Sequence, residues 1–167
     1  MRSRGAIVLG LALAAPDCRS PDPKLALELF DLDTYWAVDS PHGETQYISP
    51  VVRFHLRNKS PEPLRSIQAT ATFRRAGEES QTWGSGWQQV TEAGKPLGPG
   101  KAAPVMMESD GRYYSTGTPE SMFHHRLFKD ARVEVYVRIG SSGWVKMAEA
   151  PVERRIGARS VQGRGAP

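Results

Sequence analysis

Apolar and polar residues alternate with a period of two along most of this chain, which is the spacing of half-buried strands. "KLALELFDLD" sets Leu25, Leu27 and Leu29 against Ala26, Glu28 and Phe30. In "VVRFHLRN", Val52, Phe54 and Leu56 share one face, and Val51, Arg53, His55 and Arg57 share the other. "NKSPEP" breaks that strand, and Ile67, Ala69, Ala71 and Phe73 form the next inward face. Two amphipathic strands joined by a Pro-rich turn are expected to be neighbours in one antiparallel sheet. "ARVEVYVRIG" is the clearest strand, with Val133, Val135, Val137 and Ile139 inward, and Gly140 to Gly143 closes a hairpin to "WVKMAEAP". "PLGPGKAAPVMM" reads as a turn followed by a short strand through Val105 and Met107, and "ESDGRYYSTGTPE" as a long loop. In "SQTWGSGWQQV", Trp83 and Trp87 lie four apart, on one face of a regular strand. Gly84 and Gly86 point to a bulge or a sheet edge there. The single helical turn expected is "PESMFHHRLF", with Pro119 near its start.

Seven or eight short strands, frequent turns and at most one short helix predict an all-β fold. The expected architecture is an immunoglobulin-like antiparallel β-sandwich spanning residues 25–156. With Cys18 the lone cysteine, no inter-sheet disulfide can form, so apolar packing must hold the layers.

The first residues change the picture of where the domain works. Arg2 and Arg4 precede an apolar run from Ala6 to Ala15 that contains Ala12-Leu13-Ala14, the small-residue pattern of a signal peptidase site. Residues 1–14 therefore read as an export signal, too short to span a bilayer, which needs ~20 apolar residues. Residues 15–24 read as a tether. Cys18 has two readings, a lipid attachment point or a free or cleaved-off thiol. Asp17 before it departs from the small residue that bacterial lipoprotein signals carry. The expected location is the periplasm, or a membrane tether on the outer side of the inner membrane or on the outer membrane.

The formal charge is +4. Arg2 and Arg4 belong to the signal, and Arg154, Arg155, Arg159 and Arg164 to the C-terminal segment, so the body between carries a small excess of acids. A nucleic-acid surface needs Lys and Arg gathered on one folded face, so a nucleic-acid partner is not expected. Residues 157–167 read as a disordered basic tail, with contact to anionic lipid as the sharper alternative.

Candidate chemistry is sparse. Asp31, Asp33 and Asp39 could offer oxygens to Ca²⁺, but further ligands and a glycine at defined spacing are missing, so they read as solvated carboxylates. His124 and His125 are adjacent and point apart; packing is the expected role, with one ring buried and one exposed. Ser109 and Asp110 have no histidine at a recognisable spacing, there is no G-x-S-x-G, and no Walker or dinucleotide glycine loop is present. No catalytic residue, metal or cofactor is expected. "NKS" at Asn58 matches a glycosylation sequon that carries no meaning in a bacterial-type exported chain.

Aromatic residues outside the alternating core remain. Tyr35, Trp36, Trp83, Trp87, Tyr113 and Tyr114 cluster near loops and Gly-rich strands, where such residues supply partner or glycan contacts. Trp144, after a tight turn, is expected to cap the sandwich. The outward row Arg53, His55 and Arg57 is expected to pair with acids on the next strand, Glu134 being one candidate, or to face an acidic partner.

"VRFHLRNKSPEPLRSIQATATFR" resembles the strand–turn–strand of small exported bacterial immunoglobulin-like domains, including the FxLYD type. Those read apolar-x-apolar-x-N-x-[ST]-x-x-[PL], then a strand ending in Phe; Asn58, Ser60, Leu64 and Phe73 match. The Gly/Pro turn "LGPGKAAPV" before a strand also occurs there. The resemblance implies an envelope module that interacts rather than catalyses, and it carries no functional residues over. The expected function is a non-catalytic protein-interaction module, an accessory subunit of a membrane complex in one form. The alternative is a carbohydrate-binding module using the exposed aromatics. A hydrolase comes third, since it needs a polar cluster that only the fold could assemble.

Overall fold

The computed structural model describes residues 20–42, 45–115 and 117–158. The expected signal, Cys18 and the end of the basic tail lie outside the described residues. The chain is an all-β sandwich. One sheet has the order β5-β2-β1-β9, with β6 also paired to β2, and the other has the order β4-β3-β7-β8. The strands are β1 (Leu27–His42), β2 (Thr45–Asn58), β3 (Ile67–Arg75), β4 (Gly84–Gln89), β5 (Ala102–Glu108), β6 (Tyr113–Ser115), β7 (Ala131–Ile139), β8 (Val145–Pro151) and β9 (Ile156–Gly157). The crossings from β2 to β3 and from β4 to β5, with hairpins β1–β2, β3–β4 and β7–β8, give the Greek-key order of an immunoglobulin-like sandwich.

The alternation in β3 and β7 is borne out residue by residue. Ile67, Ala69, Ala71 and Phe73 are buried opposite Ile139, Val137, Val135 and Val133 in the β3–β7 register. From the other sheet Val52, Phe54, Leu56, Val105 and Met107 meet them. Each Val, Ile, Leu, Phe or Met among them contributes roughly 1.5–3 kcal/mol on burial, so this one seam is large against the total stability of a domain. The β7–β8 hairpin, the β5 strand and the turn at Pro119–His124, a 3-10 helix, form where the sequence places them. The expected long loop after Glu108 contains the short strand β6.

Two sequence expectations are overturned. First, β2 and β3 are not neighbours; they belong to opposite sheets. The physical reason is the connection. The Asn58 side chain donates to the carbonyls of Glu62 and Leu97 at 2.8 Å each. It accepts from Ser60 N at 2.8 Å and Ser60 Oγ at 2.7 Å. These bonds fold the loop over the end of the sandwich, Leu64 pairs with Leu97, and Ser66 takes φ 54° to enter β3. Period-two alternation says which face a residue takes, not which sheet its strand joins.

Second, Leu25 does not share an inward face with Leu27. Asp22 caps a single helical turn, α1 (Pro23–Ala26), by accepting from Lys24 N at 2.9 Å, and Pro23 is preset for the first helical position. The turn shifts the phase, so Ala26 and Leu27 are buried and Leu25 is exposed.

Candidate interaction site: an aromatic and cationic end of the sandwich

Five aromatic rings from five separate segments meet at one end. Trp36 of β1 lies 5.2 Å from Phe128, 5.9 Å from Tyr113, 6.1 Å from Phe123 and 6.2 Å from Trp83 by ring centroids. Tyr113 is 5.0 Å from Trp83 and 5.2 Å from Phe128. Such pairs are worth about 0.5–1.5 kcal/mol each beyond the area they bury, so the stack holds β1, β6 and the 3-10 turn in one arrangement. Tyr113 is fixed further: its hydroxyl donates to Lys129 O at 3.3 Å and accepts from Lys129 N at 3.2 Å. Thr118 caps the 3-10 turn that brings in Met122 and Phe123.

Trp36 and Tyr35 are therefore not contact residues, a correction to the sequence reading. Trp36 is 0% exposed, at the centre of the ring stack. Tyr35 is 2% exposed and faces the other way, into a small apolar cluster with Ala37, Val51 and Met106 on the outer side of its sheet. Its hydroxyl donates to Ala158 O at 3.2 Å, and burial pushes its ionisation up. Adjacent strand residues point to opposite faces, and here both faces are covered.

Above the stack lies a groove of about 620 Å³. Trp83, Tyr113 and Met122 line it, together with Arg75, Arg112, His125, Tyr114 and Leu127. Tyr114 and Leu127 are 73% and 67% exposed, although apolar side chains of that size are usually covered. Among the described residues no acid lines the groove. Glu78 serves two cations, Arg75 at 2.5 Å and Lys129, and these two bonds hold its carboxyl below the usual carboxylate range despite some desolvation. Arg112 lies over the Tyr47 ring at 4.3 Å. Beneath the groove Arg154 lies over the Phe128 ring at 5.5 Å and is paired with Asp130 at 2.7 Å. Among the described residues four buried side-chain atoms have no hydrogen-bond partner, and three of them are in or beside this end: Trp36 Nε1, Arg75 Nε and Gln46 Oε1 of β2 next to β6. An unmet buried polar atom costs about 1–3 kcal/mol, so three together mark a locally unsatisfied region.

Trp83 and Trp87 do not share a face. Trp83 precedes β4 and turns into the ring stack, while Trp87 is 59% exposed on the outer face of the second sheet, opposite Thr70. The glycines between them have a packing reason. A Cβ on Gly84 would sit 2.6 Å from Gly111 N, and one on Gly86 would sit 2.8 Å from Glu108 O. β4 is an edge strand, as the glycines suggested, pressed against the end of β5. Trp144 is half-exposed with Arg138 over its ring at 4.7 Å.

The outward row on β2 is neutralised, though not by Glu134. Arg57 pairs with Glu28 at 2.9 Å and Arg53 with Asp33 at 2.6 Å, both direct register partners on β1. His55 stacks on Phe30 at 5.3 Å, with Asp31 3.7 Å away. Glu134 is in the other sheet, where Lys146 at 2.7 Å and Arg74 at 3.2 Å hold its carboxyl below the usual range. Arg155, which leads into β9, also binds Asp33. Burial alone would raise the Asp33 carboxyl; the bonds from Arg155 and Arg53 outweigh it and hold it low. The cavity of about 680 Å³ beside this row is larger than the aromatic groove, but its charges satisfy one another and fasten the C-terminal strand.

The expected carboxylate and histidine roles change in detail. Asp33 is committed to two arginines, and among the described residues no group of three His, Cys, Asp or Glu side chains is placed to hold a metal. His124 and His125 are both exposed, not one buried and one exposed, because Met122 and Phe123 take the inward positions of the turn. Among the described residues no helix is long and apolar enough to cross a membrane. Of the six aromatics singled out from sequence, Trp83, Tyr113 and Tyr114 come together here, Trp87 lies elsewhere, and Tyr35 and Trp36 are core. Arg75, Arg112, Met122 and Leu127 were not anticipated. "GRYY" and "HHRLF" set cation beside apolar residue in both loops, a signal the sequence offers. Compared with known proteins, the chain matches no family model and no curated protein.

Proposed function

We propose that this chain is a non-catalytic protein-interaction module of a bacterial cell envelope, docking a partner protein through the groove at its aromatic end. The observation that carries the reading is the composition of that groove. Trp, Tyr and Arg are the residue types that dominate binding energy at protein interfaces, and here they are gathered around a concave, rigidly backed surface. The envelope location rests on the N-terminal export pattern in the sequence, and an accessory place in a membrane complex follows from attachment through Cys18 or the basic tail. The carbohydrate reading keeps one ring, exposed Trp87, on a different face.

A photo-crosslinking amino acid in place of Tyr114, with one in place of Leu25 as a control of equal exposure, tests the reading in cells of the native host. An adduct to one defined protein from position 114 and none from position 25 is the expected result. Equal labelling at both positions, or none at 114, refutes docking at this end. Co-sedimentation with cell-wall glycan that is lost in Trp87→Ala would replace it with the carbohydrate reading.

A further inference from the structure

The groove's charge and shape define what fits it. We infer, resting on the docking reading above, that the occupant is a partner segment that is acidic and carries an apolar anchor: one or two large side chains seated against Trp83 between Tyr114 and Leu127, flanked by carboxylates that reach Arg75 and Arg112.

Three observations carry this. Among the described residues the lining has two arginines and no acid, so an anionic segment meets no like charge there, while a cationic one does. The arginines are under-committed. Arg75 shares its one carboxylate, Glu78, with Lys129, and its Nε is buried without a partner. Arg112 lies over the Tyr47 ring and makes no ion pair among the described residues. A partner carboxylate would give Arg112 a charged partner and share the exposed part of Arg75 with Glu78, and charge-assisted bonds are about twice as strong as neutral ones. The apolar requirement follows from the rest of the lining. Tyr114 and Leu127 are exposed and line the same groove as Trp83, Tyr113 and Met122, and a volume of about 620 Å³ holds more than one large side chain.

The test uses the full chain without its signal and three end-blocked hexapeptides, EDFLDE, KRFLRK and EDGGDE, with binding read from the change in intrinsic tryptophan fluorescence in a Trp87→Phe, Trp144→Phe background, which leaves Trp83 beside the groove and buried Trp36. EDFLDE is expected to bind at least about tenfold tighter than either control, because KRFLRK loses the charge-assisted bonds and EDGGDE loses the burial of its apolar anchor. Arg112→Gln and Leu127→Ser alter exposed side chains and spare the fold; each is expected to cut EDFLDE binding about tenfold. Raising salt from 50 to 500 mM is expected to weaken EDFLDE, since the Debye length falls from roughly 14 to 4 Å. Equal binding of all three peptides, tighter binding of KRFLRK, or binding of none overturns the acidic-anchor inference. The crosslink at position 114 decides the docking reading separately. An adduct there alongside failure of EDFLDE leaves a docking site for a different class of protein segment.

Discussion

Asn58 is the residue whose loss should do most damage for its size. Its side chain is fully buried at the point where the chain leaves one sheet for the other, and it makes four hydrogen bonds, to Glu62 O, Leu97 O, Ser60 N and Ser60 Oγ. Asn58→Ala removes all four. Leu97 O still accepts from Leu64 N, and the Ser60 hydroxyl, whose one proton serves Asn58 Oδ1 or Glu62 O but not both, can turn to Glu62 O, so the loss is short of the maximum. At about 1 kcal/mol net per bond, the expected destabilisation is about 3–4 kcal/mol. That is a large part of the roughly 5–15 kcal/mol a domain possesses. In urea, with a slope of about 2 kcal/mol/M, the midpoint should fall by about 1.5–2 M, followed by tryptophan fluorescence. Asn58→Asp keeps the shape and replaces a doubly donating nitrogen with an oxygen facing two carbonyls. At neutral pH it should be worse than Asn58→Ala. The new carboxyl would be raised in the folded state, so the folded form would bind the extra proton and the deficit would shrink as pH falls toward the ordinary carboxylate value of about 4. A loss below about 1 kcal/mol for Asn58→Ala, or a deficit in Asn58→Asp that grows on acidification, would refute the claim that these four bonds set the crossing.

The unsubstituted protein should respond to acid in the opposite sense. Bonds from Lys146, Arg154 and Arg155 hold the carboxyls of Glu134, Asp130 and Asp33 below their ordinary values, so the stability they contribute is present above about pH 4 and is lost as pH falls through the lowered values. Thermal midpoints measured from pH 7 to pH 2 should decline only at the acid end. Asp33→Asn should cost at most about 1 kcal/mol, because both arginines are well exposed, but it should speed hydrogen exchange at the Trp36 N–H, which donates to Arg155 O at 2.9 Å. Gly111→Ala should cost about 1–3 kcal/mol in urea unfolding, since its Cβ would lie 2.6 Å from Trp83 O and the backbone must shift. Gln88→Ala should leave stability within about 1 kcal/mol and increase self-association in sedimentation: the Gln88 side chain accepts from Met106 N at 2.9 Å, and with Pro104 it leaves the β5 edge few free donors.

The sequence alone determined the layer chemistry of this protein. Period-two alternation named the inward residues of β3, β5 and β7, because a pleated strand forces neighbours to opposite faces whatever the fold around it. It also placed the β7–β8 hairpin and the Pro119 turn, whose signals are local. Pairing between sheets is not local. Only the tertiary structure decided that β2 and β3 part company, since that depends on Asn58 reaching Leu97, far along the chain. The same limit explains the aromatics. Tyr113 and Tyr114 are adjacent and chemically alike, yet one joins the floor of the ring stack and the other stands in solvent, a choice made by what β6 pairs with and what lies beneath it. Asn58 shows the point most sharply. As a string of letters it begins a glycosylation sequon and ends a strand; in space it is a buried clamp. Composition could name the residues able to bind, but burial, which only the assembled chain sets, decided which of them remain available to a partner.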